Sequence, residues 1–161
     1  QPRSRGLGDV YKRQEYKFRK EGRLLTSGGM GTMGYSVPAA IGAKMADNSR
    51  ATVAICGDGA FQMSFMELAT AVQFGVDIKV VVMTNNRLGM VRELQTNGYH
   101  DRQTAVFLDG SPDFIKLAEA YSIPAMRVYD DDTMEKGIEM LAEHKGICLV
   151  EVVVDKDMPT L

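Results

Sequence analysis

At 161 residues, with 45% hydrophobic and 25% charged side chains, the chain has the size and mixture of one globular domain able to bury a sizeable core. A net charge of -2 without a basic stripe argues against nucleic acid as a partner, and no apolar run approaches the roughly 18 residues that a membrane span needs. Two cysteines, Cys56 and Cys148, each inside a predicted strand, fit a reducing, cytoplasmic setting better than a disulfide framework.

Residues 1–14, QPRSRGLGDVYKRQ, are basic, rich in turn formers and without apolar periodicity; they read as a non-native leader, leaving 15–161 as the domain. Glu15 to Arg23 is a charged approach segment that carries Tyr16 and Phe18. Leu24-Leu25-Thr26 is a short strand candidate leading into Ser27 to Gly34, where four glycines in seven residues supply backbone freedom or let a ligand approach the main chain. Ser36 is a candidate cap for a helix with Pro38 in its first turn, running to about Asp47. Thr52 to Cys56 reads as a strand ending in Gly57-Asp58-Gly59. Phe65, Leu68, Ala69 and Val72 recur at helical spacing over Ser64 to Phe74, with Gly75 as the stop.

Ile78 to Met83 is nearly all apolar, as expected of a parallel strand covered on both faces, and it ends in Asn85-Asn86. From Val91 a helical turn or two gives way to a polar loop that reaches Gly110 and contains Asn97-Gly98. Ser111-Pro112-Asp113 opens a helix with Phe114, Leu117, Ala118 and Tyr121 on one face; a short strand follows at Ala125 to Val128. Asp132 or Thr133 is the expected cap of a helix through Met134, Ile138 and Leu141 to His144, stopped by Gly146, and Ile147 to Val154 is the last strand. Strands and helices alternating at these lengths predict an α/β fold: a parallel sheet with helices on both faces, three layers in all.

Asp58 and Asn85 lie 27 positions apart, room for a turn, a helix and a return strand. Adjacent parallel strands would then bring a carboxylate and a carboxamide to one sheet edge, where open α/β folds bind ligands. Both are oxygen donors suited to a hard cation such as Mg2+, which keeps further positions for phosphate oxygens and water. Gly59 and Ala60 can turn backbone N-H groups towards those oxygens. A rival stands beside this: Gly29-Met30-Gly31-Thr32-Met33-Gly34 satisfies G-x-G-x-x-G, with Asp58 where a Rossmann nucleotide-binding module keeps its acid. Against it, the helix is predicted to start only after the last glycine. Met63, Met66 and Met83 read as core filling, Asn86 as a loop residue, His100 and His144 as surface, Asp130 to Asp132 as a solvated helix start and Glu67 as a packing or salt-bridge residue.

Gly-Asp-Gly followed at this distance by Asn-Asn resembles the cofactor motif of thiamine-diphosphate enzymes. From Leu24 onward the chain is similar to the C-terminal, diphosphate-binding domain of the acetolactate synthase family, through TSGGMGTMGYSVPAAIGA, GDGAFQMSFMELATAVQFG, NNRLGMVRELQ, SPDFIKLAEAY and LVEVVVDKDMP. The resemblance implies thiamine diphosphate and Mg2+ as cofactors, with Asp58 and Asn85 as side-chain ligands and Arg87 supplying its main-chain oxygen. Gly59, Ala60, Leu88, Gly89 and Met90 would line the diphosphate and thiazolium end. Gly31 would offer its carbonyl to the pyrimidine 4'-nitrogen and Met33 its amide to a ring nitrogen, while the Met33 side chain wedges the cofactor into a bend.

The same resemblance implies an enzyme that decarboxylates pyruvate and joins the two-carbon unit to a second 2-oxo acid in branched-chain amino-acid synthesis. It implies missing N-terminal domains, a second catalytic subunit whose glutamate activates the pyrimidine, a regulatory small subunit, and FAD in the full-length enzyme. No catalytic side chain is then expected within this fragment. A glutamine-rich, tryptophan-containing motif expected just before Tyr16 is absent, and Leu94 stands where many members carry tryptophan beside the substrate channel. Another thiamine-diphosphate decarboxylase or oxidase is the near alternative.

Overall fold

The computed structural model describes residues 22–156. The leader, the approach segment up to residue 21, and Asp157, Met158 and Pro159 of the last family segment lie outside them. Four strands, β1 (Val53–Gly57), β2 (Lys79–Thr84), β3 (Ala125–Val128) and β4 (Cys148–Val153), form one sheet in the order β1-β2-β4-β3. Every pairing is parallel, as the alternation of elements predicts, with Ala54 beside Val80, Val80 beside Leu149 and Ala125 beside Leu149.

Among the described residues the helices are α1 (Ser36–Ala46), α2 (Asp58–Gln62), α3 (Leu68–Gln73), α4 (Gly89–Gly98), α5 (Phe114–Ala120) and α6 (Asp131–Glu143), with a single 3-10 turn at Phe65–Glu67. By register Ala54, Cys56, Val80, Val82 and Leu149 share one sheet face, and they join Phe61, Leu68, Ala71, Phe114 and Ala118 in the core. Phe61 meets the Phe114 ring edge-on at 5.3 Å. The other face carries Val128 and Val150, against which Gly137 seats α6. A Cβ at Gly137 would lie 3.0 Å from Val128 Cγ2 and 3.3 Å from Val150 Cγ1. Gly137→Leu therefore forces α6 off the sheet, at a cost of about 1–3 kcal/mol, typical of overpacking; a thermal melt several degrees below the parent checks it.

Several local expectations need correction. Leu24 to Thr26 forms no strand. Ser36 does not cap α1: it is the first helical residue, and its hydroxyl donates to the Ile55 carbonyl at 2.9 Å, tying α1 to β1. The helix expected over Ser64 to Phe74 is broken, because Ser64 leaves helical geometry (φ -144, ψ 10) and resets the phase. Its inward side chains are Leu68 and Ala71, joined by Phe61 from α2, while Ala69 and Val72 face water. Met63 and Met66 are exposed instead of filling the core, Met83 is half-buried, and α4 is longer than the turn or two expected, taking in Asn97-Gly98.

The cap of α6 is Asp130, two residues before Asp132 and three before Thr133. Its carboxylate accepts from Thr133 N at 2.9 Å while the Thr133 hydroxyl accepts from Asp130 N at 3.1 Å, a reciprocal capping box. Those bonds hold the Asp130 carboxyl below its ordinary 3.8. A carboxyl with a depressed folded value contributes stability above 3.8 and loses it as pH falls through the lower folded value. Asp130→Ala should thus melt earlier than the parent at pH 7, and the gap should close on acidification below 3.8. His144 is half-buried, its carbonyl accepting from Lys79 Nζ at 2.8 Å, whereas His100 is exposed.

Candidate functional site

Parallel pairing of β1 and β2 puts their carboxyl ends side by side, and Asp58 and Asn85 are the residues that follow them. Asp58 is 2% exposed. Its Oδ1 accepts from Gly59 N at 2.7 Å, and its Oδ2 accepts from Asn85 N at 3.1 Å and from Asn86 N at 2.6 Å. One carboxylate thus spans both strand ends. Burial pushes its carboxyl above 3.8, and the backbone N-H bonds counter that only in part. A cation beside it would offset the cost of holding the charge there.

Asn85 is 5% exposed, and its Oδ1 accepts from Arg87 N at 3.0 Å. Asn86 takes a left-handed conformation (φ 55), which asparagine tolerates, and turns the chain out of β2. Loop 86–88 is then clasped by 106–108: Leu88 N donates to Val106 O and Leu108 N to Asn86 O, each at 2.9 Å. The Arg87 guanidinium lies 4.6 Å over the Phe107 ring and donates to Asp109 Oδ1 at 3.1 Å and Asn86 O at 2.8 Å. Its side chain holds the loop while its main chain stays beside Asn85.

Gly59 is the crowded point of the site. A Cβ there would sit 2.7 Å from Leu88 Cδ2 and 3.3 Å from both Leu108 Cδ1 and Met33 Cε. Met33, Gly59 and Leu88, singled out from the sequence, therefore meet, and Leu108 joins them without any sequence signal. Gly89 is buried at the start of α4; Ala60, Leu88 and Met90 are half-buried. Gly31 (φ 65) donates its N-H to Ser27 O at 2.7 Å, and the Ser27 hydroxyl accepts from Thr32 N at 2.9 Å. These bonds shape the glycine loop; among the described contacts they bring Met33, but not Gly31, to the Asp58 group. The Gly59 N-H, expected to face phosphate, is bonded to Asp58 Oδ1.

The donor set fits Mg2+. An ionised carboxylate offers about four lone-pair directions and a carboxamide oxygen two; the three bonds at Asp58 and one at Asn85 leave each a direction to spare. Among the described residues no three His, Cys, Asp or Glu side chains cluster as metal ligands. One acid and one amide suit a cation that completes its shell with phosphate and water. The dinucleotide alternative loses its context: residues 22–27 form no strand before the glycines, and α1 begins after Gly34. Glu67 accepts from the Thr70 hydroxyl at 3.1 Å, a local packing role.

A parallel sheet with a buried carboxylate, a carboxamide and a glycine at the carboxyl ends of neighbouring strands defines a ligand-binding α/β domain. The chain belongs to the family described as thiamine pyrophosphate enzyme, C-terminal TPP binding domain, which matches residues 6–152. It is 40% identical over 156 residues to the mitochondrial acetolactate synthase catalytic subunit of Aspergillus candidus, covering 97% of this chain and 22% of that protein. It is 43% identical over 136 residues to the acetolactate synthase of Arthrospira platensis (84% and 24%) and 39% over 151 residues to the acetolactate synthase large subunit of Lactococcus lactis (94% and 26%). The chain thus spans about a quarter of the length of these relatives. Among the described residues no helix is long and apolar enough to cross a membrane.

Proposed function

We propose that this chain is the Mg2+- and thiamine-diphosphate-binding part of an acetolactate synthase, which decarboxylates pyruvate and condenses the product with a second 2-oxo acid. The observation that carries this reading is the Asp58 carboxylate bridging two adjacent strand ends beside the Asn85 carboxamide. Asp58 and Asn85 then hold the cation by their side chains and Arg87 by its carbonyl. Gly59, Ala60, Leu88, Gly89 and Met90 receive the diphosphate and thiazolium end; Gly31 and Met33 receive the pyrimidine.

When bound, thiamine diphosphate supplies the carbanion-stabilising chemistry that 2-oxo-acid decarboxylation requires. The chain's own contribution is orientation and exclusion of water: Met33, Leu88 and Leu108 converge on Gly59 as an apolar wall beside a polar anchor. Leu94, 62% exposed on α4, is the candidate for the wall of a substrate channel. The reading extends to a glutamate from a second catalytic subunit, a regulatory small subunit, FAD in the full-length enzyme and a cytoplasmic setting. Calorimetric titration tests the core of it. Thiamine diphosphate should bind only with Mg2+ present, and binding of NAD or FMN without metal would overturn the assignment.

A further inference from the structure

From the residue before Asn85 a polar relay, buried at Thr84 and Glu151 and opening to the surface at Asp113, crosses four elements. The Thr84 hydroxyl, at the end of β2, donates to Glu151 Oε1 at 2.9 Å. Glu151, 4% exposed in β4, accepts from Arg127 Nε of β3 on its other oxygen at 2.6 Å. Arg127 in turn reaches Asp113 Oδ1 at 2.8 Å, and that carboxylate caps α5 by accepting from Ile115 N at 3.0 Å and Lys116 N at 3.4 Å.

By register Glu151 stands beside Val82 and Arg127 on the same face as the aliphatic core. An ion pair with its carboxylate buried there adds little stability over well-packed aliphatic side chains, since desolvation of Glu151 offsets much of the attraction. What the relay does supply is a fixed place for Thr84. Thr84 immediately precedes Asn85, and the N-H groups of Asn85 and Asn86 are held from the opposite side by Asp58 Oδ2. The end of β2 is gripped three times: by the Thr84 side chain towards Glu151, by the Thr84 carbonyl, which accepts from Val154 N at 2.9 Å, and by the Asn85 and Asn86 backbone towards Asp58.

We propose that the Thr84-Glu151 hydrogen bond, braced by Arg127, is a positioning device that holds the Asn85-Asn86 backbone against Asp58 and so sets the spacing of the two cation ligands. Its effect on affinity rests on the Mg2+ reading above; its effect on the backbone does not. Thr84 and Glu151 are positioning residues that act through the Asn85-Asn86 backbone.

The test uses the isotope-labelled chain and compares the parent with Thr84→Val, Thr84→Ser and Glu151→Gln. Amide hydrogen exchange at Asn85 and Asn86, normalised to Val80 and Val82 of the same strand, should accelerate about tenfold in Thr84→Val and Glu151→Gln and stay at the parent rate in Thr84→Ser, which keeps the hydroxyl. In parallel, the calorimetric Kd for thiamine diphosphate with Mg2+ should weaken roughly 10- to 100-fold in the first two variants, the range for losing an outer-shell partner. Unchanged normalised exchange at Asn85 and Asn86 overturns the inference whatever the cofactor does. Accelerated exchange in a chain whose parent binds no Mg2+ and thiamine diphosphate upholds the positioning device and sinks the cofactor reading instead. If Glu151→Gln fails to fold, Thr84→Val, which keeps the shape of the side chain, decides alone.

Discussion

Asp58→Ala abolishes Mg2+-dependent binding of thiamine diphosphate, a loss exceeding the roughly 10- to 100-fold that removing an outer-shell partner costs. Two effects act together. Asp58 is the only anionic side chain in the proposed ligand set, so its removal leaves Mg2+ with neutral oxygens and the phosphates alone. Its carboxylate is also the common acceptor for the N-H groups of Gly59, Asn85 and Asn86. Without it, the chain beyond the two strand ends loses the bonds that tie it across the β1-β2 ladder, and buried donors are left unpaired at about 1–3 kcal/mol each before water enters. Asn85→Ala should be milder, because it removes one neutral donor and frees only the Arg87 N-H. Calorimetry and thermal melting of both variants read the two effects separately; an Asp58→Ala chain that binds the cofactor with parental affinity would sink the assignment.

The meeting of Asp58 and Asn85 at neighbouring strand ends was legible in the sequence because each follows an apolar run, and such runs in parallel sheets end at the ligand edge. β3 also falls at its expected residues, its short apolar run being bounded by Pro124 and the acidic Asp130 to Asp132. The helix after Asp58 was harder. Its spacing of Phe65, Leu68, Ala69 and Val72 presumes one continuous helix, and the break at Ser64 rotates every later position. Cap choice at α6 failed for a related reason: with Asp130, Asp131 and Asp132 in a row, composition cannot say which one leaves helical geometry, and the reciprocal bond with Thr133 decides it. Leu108 was invisible because a loop that pairs only through 86–88 carries no periodicity. Glu151 did leave a trace, a lone acid inside the apolar run Ile147 to Val154, and its partners Thr84 and Arg127 come from strands far away in sequence.

The chain on its own should bind thiamine diphosphate with Mg2+ and yet form no acetolactate from pyruvate. Binding needs the anchor at Asp58 and Asn85 and the apolar wall of Met33, Leu88 and Leu108, all within the described residues. In the proposed reading turnover needs in addition an acid that protonates the pyrimidine, and three carboxylates at or near the site are already committed. Asp58 receives three backbone N-H groups, Glu67 holds Thr70, and Glu151 holds Thr84 and Arg127. Withdrawing any of them to serve as the acid would break a bond that shapes the site. The proposed reading places that acid on a second subunit. Calorimetry and a colorimetric acetolactate assay on the same preparation check this. Acetolactate formed faster than by free thiamine diphosphate and Mg2+ would place an activating acid inside this chain and overturn the division of labour.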